Sequence, residues 1–225
     1  MQKSPISLCI FDLDGVIVDT AKYHYIAWKR LAAEFGYDLT EAQNEKLKGV
    51  SRVQSLNHIL DWAGVTKTEE EKTALATRKN NWYVELIQNV TPDDALPGVV
   101  SFIHELKQAG IKVALGSASK NARVILDKLE LSSLFDAIVD GTMTVKSKPD
   151  PEVFLKGTEL TNTSPHASLV FEDAAKGIDA ALAGGMLAVG IGTEDQLGHS
   201  DFVLPGFDNY TLSDFLKQLT RVKQV

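Results

Sequence analysis

Five short apolar runs constrain this chain more than anything else in it: Ser7 to Phe11, Ile111 to Leu115, Ala137 to Val139, Ser168 to Phe171 and Leu187 to Ile191. Each is too short for a buried helix, and helical patterns alternate with most of them. They read as strands buried on both faces within βαβ units. Helix punctuation agrees. Asp150 followed by Pro151 supplies an N-cap and a proline for a first helical turn, and Gly110 and Gly184 stand where helices should stop. The expected fold is α/β, a Rossmann-like parallel sheet core with helices on both faces.

One interval departs from this alternation. From about Thr20 to Asn89, helical segments follow one another (Ala21 to Phe35, Glu41 to Leu47, Arg52 to Ala63, Glu69 to Ile87) and no strand interrupts them. Pro92 and Pro97 bracket the return to α/β alternation. The reading is an inserted all-helical cap domain over residues 18–92, set into a core of residues 1–17 and 93–225. The two crossings, near residues 16–20 and 90–96, would serve as hinges.

The net charge of −7 over 225 residues argues against a nucleic-acid or anionic-membrane binder. An anionic substrate would have to be drawn in by local cations or a metal. The single cysteine, Cys9, cannot form an internal disulfide, which fits a reducing compartment. The opening MQKSPIS lacks the apolar stretch of a signal peptide, and no run approaches the ~20 apolar residues of a membrane span. The expected location is the cytoplasm.

Chemistry-bearing residues cluster where these strands end. Phe11-Asp12-Leu13-Asp14-Gly15-Val16 sets two carboxylates two residues apart after the first run, and Val170-Phe171-Glu172-Asp173 closes another run with an acidic pair. Asp-Gly alone marks many ordinary turns, and Glu-Asp often stabilises a following helix. In parallel sheets, however, ligands gather beyond the carboxyl ends of the strands. Four acids collected there would repel one another unless a cation sat between them, and oxygen ligands suit Mg²⁺.

Three further segments complete the set. Gly116-Ser117-Ala118-Ser119-Lys120-Asn121 offers hydroxyls and backbone N–H groups to an anion such as phosphate, or Ser119 simply N-caps a helix. In Lys146-Ser147-Lys148-Pro149 two lysines compete for a role, and Lys148 is preferred because a residue before proline is held extended. In the insert, Thr20, His24 and Trp28 share a helix face beside the first acids. Lys48-Gly49-Val50-Ser51-Arg52 reads as a turn capped by Ser51 that presents cations near a helix start, and Arg78-Lys79-Asn80 could add to it.

Asp12-Leu13-Asp14-Gly15-Val16, Ser117 after its strand, Lys148-Pro149 and Glu172-Asp173 together resemble the four ordered signatures of the haloacid dehalogenase superfamily. The helical insert is similar to the cap of its helical-cap branch. Within that branch the resemblance is nearest to the β-phosphoglucomutases and covers nearly the whole chain. Its marks are Lys48-Gly-Val-Ser-Arg52, His24, Arg78-Lys79-Asn80 and Tyr210-Thr211-Leu212.

The resemblance implies an Mg²⁺-dependent enzyme turning β-glucose 1-phosphate into glucose 6-phosphate through β-glucose 1,6-bisphosphate. It gives Asp12 the role of nucleophile and Asp14 that of general acid/base. Ser117 and Lys148 would hold the transferring phosphoryl group. The metal would rest on Asp12, Asp14 (by its carbonyl) and Asp173, with Glu172 in or beside its shell. Lys48, Gly49, Val50, Arg52 and Ser55 would grip the sugar phosphate, with Thr20 and Ala118 also among the substrate contacts. Ser119, Lys120 and Asn121 would join Arg52 on the phosphate that is not transferring, and His24 and Lys79 would couple binding to closure. The implied partners are small-molecule sugar phosphates, with no nucleic acid or membrane, and a monomer is expected. A sugar-phosphate or small-phosphoester phosphatase of the same superfamily shares every core residue. A non-catalytic sugar-phosphate binding protein would be expected to lack one of the first two acids, and both are present.

Overall fold

A computed structural model of the chain describes residues 6–48 and 50–222. Six strands form one sheet: β1 (Leu8–Phe11), β2 (Lys112–Gly116), β3 (Ala137–Val139), β4 (Ser168–Glu172), β5 (Leu187–Ile191) and β6 (Phe202–Leu204). Their order is β3-β2-β1-β4-β5-β6, and every neighbouring pair is parallel. The first five coincide with the apolar runs read from the sequence, to within a residue. The sixth was not among them. It is three residues long, pairs with β5 alone, and leaves Phe202 and Val203 half-buried, so its apolar signal is short and weak.

Between β1 and β2 the chain runs through α1 (Ala21–Ala33), α2 (Glu41–Glu45), α3 (Arg52–Ala63), α4 (Glu69–Ile87) and then α5 (Val99–Gln108). The remaining helices, α6 (Ala122–Lys128), α7 (Glu152–Leu160), α8 (Ala175–Ala183), α9 (Glu194–Leu197) and α10 (Leu212–Val222), follow β2 to β6 in turn. Two helix ends differ from expectation: α1 and α2 each stop two residues early and pass into turns. Pro151 occupies the N-cap of α7 instead of its first turn, with Asp150 Oδ1 accepting from the Glu152 N–H at 3.1 Å. Proline has no N–H to leave unsatisfied in either place.

Alternation along the strands builds two cores. Cys9 and Phe11, Val113 and Leu115, and Leu169 and Phe171 face the side covered by α5, α6 and α10. Leu8 and Ile10, Ala114 and Val170 face α7 and α8. On the first side the rings of Phe11 and Phe171 stack with centroids 4.8 Å apart, and Phe102 of α5 meets both edge-on. The insert packs its own cluster, in which Trp28 and Leu31 of α1 meet Leu56, Ile59 and Leu60 of α3 and Leu75 of α4. The two crossings lie side by side, with the Leu96 N–H donating to the Ile17 carbonyl at 2.8 Å.

The register fixes where chemistry can gather. Phe11 lies opposite both Leu115 of β2 and Phe171 of β4, so the residues that follow, Asp12, Gly116 and Glu172, leave the sheet at one level. Strand order reverses between β1 and β4, and crevices at such a switch point are the usual ligand sites of open α/β sheets.

Candidate active site

The acids emerging from β1 and β4 converge. One carboxylate oxygen each from Asp12, Glu172 and Asp173 lies within 4.8 Å of the others. Two glycines permit this approach. Gly15, at φ +76°, turns the chain so closely over Asp173 that a Cβ would come within 2.2 Å of its Oδ2. Gly177 of α8 leaves room for the Glu172 side chain, which a Cβ would meet at 1.9 Å. Three carboxylates held this tightly, in a place where side chains larger than glycine do not fit, are a donor set suited to a small hard dication.

Lys148 lies among these acids, 2% exposed. Its ammonium donates to Asp12 Oδ1 at 2.6 Å and also to Glu172 Oε1, while Glu172 Oε2 accepts the Ala174 N–H at 2.9 Å. Burial works against the lysine's charge, but Asp12 and Glu172 outweigh it and raise its pKa above the ordinary value. Lys146, the competing lysine, pairs with Asp150 at 3.1 Å and is largely exposed.

Asp14 takes a different environment two residues on. Loss of solvent, then the charges of Asp12 and Asp173, hold its carboxyl well above the ordinary carboxylate range. The Thr20 hydroxyl donates to its Oδ1, and the Tyr83 hydroxyl donates to Thr20 Oγ1 at 3.2 Å. A carboxyl with raised proton affinity beside an ion-paired carboxylate is an arrangement that divides acid–base work from nucleophilic attack.

After β2, the loop folds on its own hydroxyls. The Ser119 N–H donates to Ser117 Oγ at 3.1 Å, and the Asn121 N–H donates to Ser119 Oγ at 3.2 Å. Ser119 therefore supports this turn without N-capping α6, whose N-cap position is held by Asn121.

The insert supplies the facing side. Ser51 caps α3 by accepting the Gln54 N–H at 3.3 Å, which sets Arg52 in its first turn. Lys48 reaches Asp173 Oδ2 at 3.1 Å. Lys79 of α4 is buried, with its ammonium 4.3 Å from the centre of the Trp28 ring and 5.0 Å from that of Tyr83. It lies 2.8 Å from His24 Nδ1, and the His24 ring stacks on Tyr83 at 4.0 Å. Burial, then Lys79 and Arg52, keep the His24 pKa well below its ordinary value; burial, then Arg52, do the same for Lys79.

Between the two sides lies a cavity of about 540 Å³. Asp12, Asp14, Ser117, Ala118, Ser119, Lys120, Asn121, Lys148 and Asp173 line it from the core, and His24, Lys48, Val50, Arg52, Ser55 and Lys79 from the insert. Two expected site residues do not line it. Thr20 is fully buried and its hydroxyl donates to Asp14, so it supports an acid from behind the cavity wall. Glu172 is enclosed behind Lys148. Gly49 lies outside the described residues. Reading the sequence missed Tyr83, although it stands four residues after Lys79 on the same helix face, a spacing that could have exposed it. It also missed Thr144 and Val145, which line the cavity from a loop with no periodic signal.

Known proteins resemble the chain in sequence and fold. A family model for haloacid dehalogenase-like hydrolases matches residues 9–191. The chain is 44% identical over 205 residues to a β-phosphoglucomutase of Bacillus subtilis (strain 168), spanning 90% of this chain and 91% of that protein. It is 30% identical over 180 residues to a phosphorylated carbohydrates phosphatase of Thermotoga maritima, spanning 79% of this chain and 81% of that protein. The crystal structure of a β-phosphoglucomutase from Clostridium difficile shares its fold with a TM-score of 0.94 at 40% identity, covering 98% of this chain and all of that one. The family model covers most of the chain, and the chain is an enzyme of the haloacid dehalogenase-like hydrolase family.

Proposed function

We propose that this enzyme is a β-phosphoglucomutase, converting β-glucose 1-phosphate into glucose 6-phosphate through β-glucose 1,6-bisphosphate. One observation carries the reading: a single cavity has a nucleophile, lysine and acid cluster on the core side and Arg52, Lys79 and Lys48 on the insert side. A hydrolase of a monophosphate needs only the first; a ligand phosphorylated at both ends uses both. The resemblance to the mutases of Bacillus and Clostridium supports the same choice.

In this reading Asp12 carries the phosphoryl group as an aspartyl phosphate. Asp14 takes the proton of the sugar 6-hydroxyl as that oxygen attacks phosphorus and the bond to Asp12 breaks. After the bisphosphate reverses, Asp12 attacks the 1-phosphoryl group and Asp14 returns its proton to the departing 1-oxygen. The enzyme is thus re-phosphorylated as glucose 6-phosphate leaves. Lys148 and Ser117 hold the transferring oxygens; Arg52, Ser119, Lys120 and Asn121 hold the other phosphate. Mg²⁺, held by Asp12, Asp173, the Asp14 carbonyl and Glu172, would offset phosphoryl charge when bound.

Residues 18–92 act as a cap on the core of residues 1–17 and 93–225, closing to keep water from the aspartyl phosphate. The insert's separate apolar cluster and the adjacent crossings support that division. In this reading the enzyme works in the cytoplasm as a monomer, as the family resemblance and its self-sufficient core favour. Among the described residues no helix is long and apolar enough to cross a membrane.

Incubation with Mg²⁺, β-glucose 1-phosphate and a trace of bisphosphate tests the reading. Glucose 6-phosphate without inorganic phosphate is expected. Stoichiometric inorganic phosphate would instead identify a phosphatase, the activity named for the Thermotoga relative.

A further inference from the structure

Asn80 of α4 and Asn121 of the core meet across the boundary between insert and sheet. The Asn121 Nδ2 group donates to Asn80 Oδ1 at 2.9 Å. Local structure does not account for this bond. Asn121 occupies the N-cap of α6, where an asparagine oxygen by default accepts a backbone N–H of the first turn. It makes no such bond here. The side chain is committed to the insert instead.

The two residues also differ in what they face. Asn121 lines the cavity and Asn80 does not. Asn80 directly follows Lys79, whose ammonium is enclosed by Trp28, Tyr83 and His24. At adjacent positions α4 therefore carries one side chain anchored within the insert and one that reaches the core. An unrestrained carboxamide can turn either its oxygen or its nitrogen toward a ligand, and only the nitrogen suits an anion. An acceptor that pins one N–H leaves the second N–H available and settles that choice.

We infer that Asn80 is a positioning residue: by accepting from Asn121 it aims the Asn121 amide as a donor into the cavity, and it does so only while the insert is closed on the core. The inference rests on the reading that Asn121 holds the phosphate that is not transferring. Closure and the grip on that phosphate then become one event.

Two activities separate the possibilities, measured for Asn80→Ala, Asn121→Ala and the double variant. They are mutase turnover of β-glucose 1-phosphate and hydrolysis of para-nitrophenyl phosphate, which has a single phosphate. Asn80→Ala should raise the mutase KM about five- to tenfold, the factor of one lost hydrogen bond. Its aryl phosphate hydrolysis should stay within about twofold of the parent, and the double variant within about twofold of Asn121→Ala. Losses that multiply in the double variant, or that fall equally on both substrates, overturn the inference. If Asn121→Ala is impaired while Asn80→Ala is not, the inference fails and the reading of Asn121 stands. If Asn121→Ala keeps full mutase activity, that reading fails first. Melting curves check the fold, and Asn80→Leu, similar in size and lacking an acceptor, replaces Asn80→Ala should the smaller residue destabilise α4.

Discussion

Lys148→Met removes a charge while keeping most of the side chain's shape, including the stem beside the Phe154 ring, which lies 4.7 Å from the ammonium. At 2.6 Å from Asp12 Oδ1, and at an effective dielectric of about 20, that contact alone is worth roughly 6 kcal/mol before desolvation offsets several kcal/mol of it. Losing one partner of a buried pair costs about 3–5 kcal/mol, because the carboxylates of Asp12 and Glu172 stay enclosed without their cation. With a urea slope near 3 kcal/mol per molar, the unfolding midpoint should fall by roughly 1–1.7 M at pH 8 in metal-free buffer. Far-UV circular dichroism is the suitable probe, since Trp28, Trp62 and Trp82 all lie in the insert and fluorescence would report that part first. The pH dependence has a definite sign. Burial already raises the Glu172 carboxyl to about 8, above the unfolded ~4, so the folded variant takes up protons first and its deficit should shrink from pH 8 to pH 5. A midpoint shift below about 0.3 M, or a deficit that grows on acidification, would refute the claim that Lys148 neutralises this cluster.

Arg52→Ala should lower mutase kcat/KM about 10–100-fold, the value of a charge-assisted hydrogen bond, and leave aryl phosphate hydrolysis much less affected; equal losses would count against a second phosphate site. His24 should stay neutral from about pH 8 down past its ordinary ~6.5, followed by ¹⁵N NMR, with Lys79→Met moving its titration upward. Its folded pKa lies below the unfolded one, so its share of stability is present above about pH 6.5 and is lost as pH falls below that. A ring that titrates at its ordinary value in the parent protein would contradict the enclosure described.

How much could be read from the chain depended on the kind of signal. Strands β1, β2 and β4 are buried on both faces along most of their length, so each leaves an apolar run that ends in functional residues. β6 at the sheet edge buries less and leaves almost none. Lys148 was preferred to Lys146 from one proline, and the structure buries Lys148 and exposes Lys146. Thr20 shows the opposite limit. Helical spacing placed it on the face of His24, yet spacing cannot tell a hydroxyl that meets a ligand from one that supports an acid behind the wall.

The chain by itself determined which residues end each strand, because burial demands apolar runs and the polar residues that interrupt them mark the boundaries. Folding in three dimensions decided how those ends meet. Parallel register brings Asp12 level with Glu172 across 160 residues of sequence, and packing of the insert turns Asn80 and Arg52 toward the core. Distances and desolvation are properties of neighbours, and no residue's neighbours across the fold are written beside it in the chain.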